Sequence, residues 1–154
     1  MKEQNTVKRL LFIDDDPEDL ETFNEALLAT NSSATLKLLS NGFAALEELD
    51  KPMALLPDII FVDWNMPNIN GIEFLREVKD RPECILIKLI MISTSATEEG
   101  MNQAFDAGAH LYIQKPDSFN EWVNFISRVL RLDWELYYPV PNRAHSKWKK
   151  NLTA

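Results

Sequence analysis

The chain has 154 residues, 45% of them apolar, a formal net charge of −8 and a single cysteine, Cys84. That length suggests one domain that buries roughly 70% of its unfolded surface. The acidic balance and the lack of a long basic stripe argue against direct nucleic-acid binding, and one thiol excludes an internal disulfide and fits a reducing compartment. The opening stretch, Met1 to Thr6, lacks a signal-peptide core, and no apolar run is long enough to span a bilayer, so a cytoplasmic chain without membrane contact is expected. The four glycines, Gly42, Gly71, Gly100 and Gly108, make neither a GxGxxG nor a Walker A pattern.

Apolar strand-like runs alternate with helix-like segments. Leu10 to Ile13 reads as the first strand. Asp16 can cap the helix that follows, with Pro17 at its first position, Glu18 and Asp19 in its first turn, and Leu20, Phe23 and Leu27 as its apolar stripe. Leu36 to Leu39 is a second strand, and Ala45, Leu46 and Leu49 mark a short helix ending before Pro52. Ile59 to Val62 is the third strand, running into Asp63 and a turn-rich loop. Gly71 to about Asp80 is a helix with Ile72, Leu75 and Val78 inward. Ile87 to Ile92 is the fourth strand, and Thr97 to Ala107 a helix stopped by Gly108. Leu111 to Ile113 is the fifth strand. Phe119, Trp122, Val123, Ile126 and Leu130 give the last helix its apolar face, with Asp117 or Ser118 as its cap.

Five βα units with short connections require a parallel sheet covered by helices on both sides. In such a sheet, ligands bind at the carboxyl ends of the strands. Four segments leave strands at that edge: Asp14-Asp15-Asp16, Asp63, Ser93-Thr94 and Lys115-Pro116. An acid at the end of a buried strand is costly without a counter-charge. Two acids from the first strand and one from the third can hold Mg²⁺, which takes oxygen ligands. A carboxylate beside that ion can attack phosphorus and form an acyl phosphate. A hydroxyl and an ammonium can then hold the remaining phosphate oxygens.

At these residues the chain closely resembles the receiver domain of two-component response regulators. The resemblance spans roughly residues 7–132 and is carried by Leu11-Phe12-Ile13-Asp14-Asp15-Asp16-Pro17, by Asp63-Trp64-Asn65-Met66-Pro67 with Gly71, by Ile92-Ser93 and by Tyr112-Ile113-Gln114-Lys115-Pro116. It implies a flavodoxin-like doubly wound (βα)5 fold with strand order 2-1-3-4-5. Asp63 is then the phospho-acceptor. Asp15 binds Mg²⁺ directly, Asp14 lies beside it, and Asn65 offers its backbone carbonyl. Ser93, Thr94 and Lys115 contact the phosphoryl group, Ser93 and Tyr112 form the switch, and the bond before Pro116 is cis. The implied function is that of a single-domain signalling switch rather than a metabolic enzyme. It receives its phosphoryl group from a sensor histidine kinase or phosphotransfer protein and passes the signal to a downstream protein.

Residues 133–154 are too few for a typical output domain, but they carry Trp134, Tyr137, Tyr138 and Trp148 together with Lys147, Lys149 and Lys150. This extension and the apolar face of the last helix favour a homodimer. His110, His145 and Cys84 read as isolated surface or packing residues. Two rival readings have their own signatures. Asp14-x-Asp16 at a strand end fits a haloacid-dehalogenase-type phosphatase, but the second acidic pair which that chemistry needs is missing. A receiver-like fold could also bind partners without phosphorylation, though the intact acid set argues against it.

Overall fold

The computed structural model describes residues 7–134. In chain order the elements are β1 (Arg9–Ile13), α1 (Pro17–Ala29), β2 (Thr35–Leu39), α2 (Gly42–Glu48), β3 (Ile59–Asp63), α3 (Gly71–Lys79), β4 (Lys88–Ser93), α4 (Glu98–Ala107), β5 (Leu111–Gln114) and α5 (Phe119–Arg131). Two single 3-10 turns, Met53–Leu55 and Pro82–Cys84, precede β3 and β4 and were not expected. The sheet is wholly parallel with order β2-β1-β3-β4-β5, as the flavodoxin-like reading requires.

Helix boundaries follow local chemistry. The Asp16 carboxylate accepts from the Glu18 N–H with Pro17 at the first helical position. Asn70 and Glu73 form a reciprocal capping box on α3. Gly108 ends α4 with φ of 120°. Of the two candidates at α5, Ser118 is the cap and accepts from the Glu121 N–H, while the Asp117 N–H donates to the Glu121 carboxylate.

Strand side chains alternate between two cores because successive residues point to opposite faces. Leu10, Phe12, Ile59, Phe61, Ile90, Ile92, Leu111 and Ile113 face α1 and α5. Leu11, Ile13, Ile60, Val62, Leu89, Met91 and Tyr112 face the layer of α2, α3 and α4. The first core is aromatic. Phe23 of α1 stacks on Phe12 at 4.5 Å and meets Phe61 and Trp122 edge-on at 4.9 and 5.8 Å; such pairs are worth about 0.5–1.5 kcal/mol beyond their area.

Three expectations need correction. The apolar face of α5 is consumed by this core: Trp122, Phe125, Ile126 and Val129 are buried in their own domain, so the face is not free for a second copy. The extension invoked alongside it lies, beyond Trp134, outside the described residues. Phe119 is 43% exposed rather than inward, because it starts the helix at the sheet's edge. His110 is not isolated: its Nδ1 accepts from the Leu89 N–H at 3.0 Å and its own N–H donates to the Leu89 carbonyl at 2.7 Å, tying the start of β5 to β4. Cys84 is buried, as expected, and burial pushes its thiol pKa up.

Candidate functional site

The site is a consequence of register. Ile13 pairs with Val62, Asp63 with Ile92, and Ser93 with Gln114. Asp14, Asp63, Ser93 and Lys115 therefore stand in a row at the carboxyl edge. Alternation then sorts them. Asp14, Asp63 and Lys115 continue the parity of Phe12, Phe61 and Ile113, which face α1 and α5. Ser93 continues that of Met91 and shares the α4 side with Tyr112.

Lys115 links the acids. Its Nζ lies 3.0 Å from Asp63 Oδ1, 3.3 Å from Asp14 Oδ2 and 2.6 Å from Asp19 Oδ2. Burial alone would lower the ammonium's pKa, but the hydrogen bond to Asp19 and the charges of Asp63 and Asp14 outweigh it and hold the pKa above its usual value. Asp19 was read from sequence only as an acid in the first turn of α1. Its place two positions after Pro17 in the first turn of α1, a helix packed on that same face of the sheet, was the signal available.

Asp14 and Asp63 are buried, while Asp15 is exposed. Burial raises the Asp63 pKa; Lys115 and the Asn65 backbone N–H, which donates to the carboxylate, pull it down, while Asp15 adds to the rise. Burial is also the largest influence on Asp14, which is pushed up to about 7 despite a hydrogen bond from the Asp16 N–H at 2.9 Å. Two buried carboxylates sharing one ammonium remain short of positive charge. Carboxylate oxygens of Asp14, Asp15 and Asp63 lie within 4.8 Å of one another. This all-oxygen donor set with a deficit of positive charge fits a hard divalent cation such as Mg²⁺. Asp16, by contrast, is spent on capping α1, which leaves the Asp14-x-Asp16 phosphatase reading without its second acid.

The hydroxyl side is built from the end of β4 and the loop that leads to α4. Ser93 is buried and its Oγ accepts from the Ser95 N–H at 3.2 Å. The Lys115 N–H donates to the Ser93 carbonyl at 2.6 Å, binding the two edges together. Thr94 is exposed, and its carbonyl accepts from the Gln114 side chain at 3.4 Å. Tyr112 is buried, with its ring edge-on to Trp64 at 6.2 Å and its hydroxyl donating to the Ser95 carbonyl at 2.7 Å. Every peptide bond among the described residues is trans, so the cis bond expected before Pro116 is not present. Trans is the intrinsically favoured isomer before proline by about 0.5–1 kcal/mol, and Lys115 reaches the acids with it.

Gly71 closes the site from below. Its N–H donates to the Trp64 carbonyl at 2.9 Å, and a Cβ there would lie 2.7 Å from the Asp63 carbonyl oxygen. Only glycine allows α3 to start this close to the end of β3. A cleft of about 240 Å³ lies on the α4 side, bordered by Trp64, Asn65, Ser93, Ser95, Thr97 and Gly100 among others. A larger one, about 540 Å³, runs along α5 and meets the site only at Lys115 and Pro116.

Residues 10–127 match the family profile of the response regulator receiver domain. The response regulator Rcp1 of Synechocystis sp. is 24% identical over 131 residues, covering 82% of this chain and 89% of that protein. The phosphate regulon transcriptional regulatory protein PhoB of Rhizobium meliloti is 33% identical over 76 residues, which is 49% of this chain but only 34% of PhoB. Among solved structures, the response regulator RPA3017, in red light signaling of R. palustris, superposes with a TM-score of 0.75 at 22% identity, over 88% of this chain and 99% of that one. The phosphorylated cyanobacterial phytochrome response regulator RcpA gives 0.72 at 23% identity, over 80% and 91%. These two show a shared fold. With the profile covering most of its length, the chain belongs to the response regulator receiver domain family.

Proposed function

We propose that this protein is a phosphoryl-accepting switch in a two-component relay, with Asp63 as the acceptor and residues 7–132 as the receiver unit. The observation that carries the reading is the Asp63 carboxylate at 3.0 Å from the Lys115 ammonium, grouped with Asp14 and Asp15 at one strand edge. The donor is a phosphohistidine on a sensor kinase or phosphotransfer protein, and the cytoplasm is the compartment this implies. Two of the structural neighbours come from phytochrome and red-light signalling, so a phytochrome-type kinase is the first donor to try.

In the transfer, an Asp63 carboxylate oxygen attacks phosphorus. The new P–O bond forms as the P–N bond breaks, and the imidazole leaves with the electron pair and takes up a proton. Asp14, Asp15, Asp63 and the Asn65 carbonyl would hold Mg²⁺, which when bound offsets charge on the transferring group. Lys115 pairs with one phosphate oxygen. Ser93 donates its hydroxyl to another, and its oxygen can still accept from the Ser95 N–H. Thr94 borders the same group. The cleft beside Trp64 and Asn65 is the approach for the donor imidazole and later for the hydrolytic water, which attacks phosphorus, restores the carboxylate and releases phosphate.

Movement of Ser93 toward the phosphoryl group pulls on the β4–α4 loop, to which Tyr112 is bonded through Ser95. Phosphorylation then shifts the population of that loop and changes the surface a downstream protein reads. Intact mass after incubation with a small acyl phosphate and Mg²⁺ tests the reading. Gain of one labile phosphoryl group that requires both Asp63 and Mg²⁺ is expected. No gain by a folded protein sinks it and favours a phosphorylation-independent binding module. Solution mass with and without phosphodonor, in intact and tail-deleted protein, tests the homodimer.

A further inference from the structure

The Lys115 ammonium has three N–H donors, and three carboxylates stand within 3.3 Å of it. Two of them, Asp14 and Asp63, belong to the oxygen cluster that could hold a cation. The third, Asp19, is not in that cluster, yet it makes the shortest contact, at 2.6 Å. Both partners are shielded: the Lys115 side chain is 18% exposed and that of Asp19 21%. This pair therefore escapes much of the solvent screening that weakens surface ion pairs. Asp19 is also held firmly, since it sits in the first turn of α1 behind the Asp16 cap and Pro17.

From this geometry we infer that Asp19 is a positioning residue that competes with the acceptor site for Lys115. It keeps the ammonium over the acids before a phosphoryl group arrives and limits how strongly Lys115 holds one afterwards. The inference rests on the phosphoryl-acceptor reading above. A phosphoryl group on Asp63 adds oxygens that need donors, and the four-carbon stem of Lys115 allows the head group to turn toward them. Every donor left on Asp19 is one withheld from the phosphoryl oxygens. Removing the Asp19 charge should release that donor and tilt the site toward the phosphorylated state.

The test uses the full chain as wild type, Asp19→Asn, Lys115→Met and the double variant. Calorimetric titration with fluoroberyllate, a phosphoryl mimic, in saturating Mg²⁺ gives the four dissociation constants. Asp19→Asn should bind about 3- to 10-fold more tightly than wild type, the range for loss of one partly shielded charge interaction, and this gain should vanish when Lys115 is Met. A second readout uses metal-free protein: the ¹⁵N-correlated signal of the Lys115 ammonium should be visible in the wild type and lost to solvent exchange in Asp19→Asn. An unchanged constant in Asp19→Asn, or an equal gain in both Lys115 backgrounds, overturns the inference while leaving the acceptor reading intact. Absence of fluoroberyllate binding by the wild type overturns the acceptor reading, and this inference with it.

Discussion

The Tyr112 hydroxyl donates to the Ser95 carbonyl at 2.7 Å, which ties a buried ring on β5 to the loop that follows Ser93. Tyr112→Phe keeps the ring and removes this bond. Ser95 is exposed, so water can satisfy its carbonyl, and the expected loss of stability is only about 0.5–1.5 kcal/mol. Urea unfolding measures it. A larger effect should appear in amide hydrogen exchange of residues 94–97, which should speed up if this bond holds the loop; unchanged protection there would remove Tyr112 from the coupling.

Gly71→Ala should destabilise the fold by about 1–3 kcal/mol, the usual cost of overpacking. The added methyl meets the backbone of Asp63 and Trp64 at 2.7 and 2.9 Å and Met91 Sδ at 3.0 Å. Backbone cannot swing away as a flexible side chain can, so α3 must shift relative to the end of β3. The urea midpoint reports the stability, and an unchanged midpoint would show that the contact relaxes freely.

Asp14 makes the metal-free protein sensitive to pH. Its carboxyl is raised from 3.8 to about 7, chiefly by burial. Between these values the folded chain holds a proton that the unfolded chain has released, so this group's contribution is complete below pH 4 and is lost as pH rises through 7. In chelator, wild type should lose roughly 1–3 kcal/mol more than Asp14→Asn between pH 4 and 8. Mg²⁺ should restore part of that loss at pH 8 by stabilising the carboxylates. Parallel stability curves for the two proteins would contradict the assignment.

Lys115→Met should show the complementary pattern. The ammonium's own contribution is complete below pH 10.5 and fades only above it, because its folded pKa is raised. From pH 4 to 8 the change is therefore governed by the acids that lose their counter-charge. The variant should be nearly as stable as wild type near pH 4 and about 1–3 kcal/mol less stable near pH 8, less than for a fully buried pair because the side chain is partly exposed. Thermal melts across that range decide it. A deficit that does not widen with pH would mean the stem, rather than the charge, matters.

Much of this molecule was legible in its sequence because the decisive signals are local. The apolar runs of β1, β3 and β4, the Asp16-Pro17 start of α1, the Gly108 stop of α4 and the acids and lysine at strand ends are each set by neighbours a few residues away. The order of βα units then restricts the topology, since parallel strands need crossovers of one hand. What only the tertiary structure decided depends on which face a residue takes. Strand parity sends Asp14, Asp63 and Lys115 toward α1 and Ser93 toward α4, so Asp19, read from sequence as a first-turn acid, becomes the closest partner of Lys115, 96 residues away. The same packing turns the aromatic face of α5 inward onto Phe12, Phe23 and Phe61 and draws His110 to the Leu89 backbone. Such pairings are not encoded in local periodicity, because they join residues that meet only once the sheet and its helix layers have closed on each other.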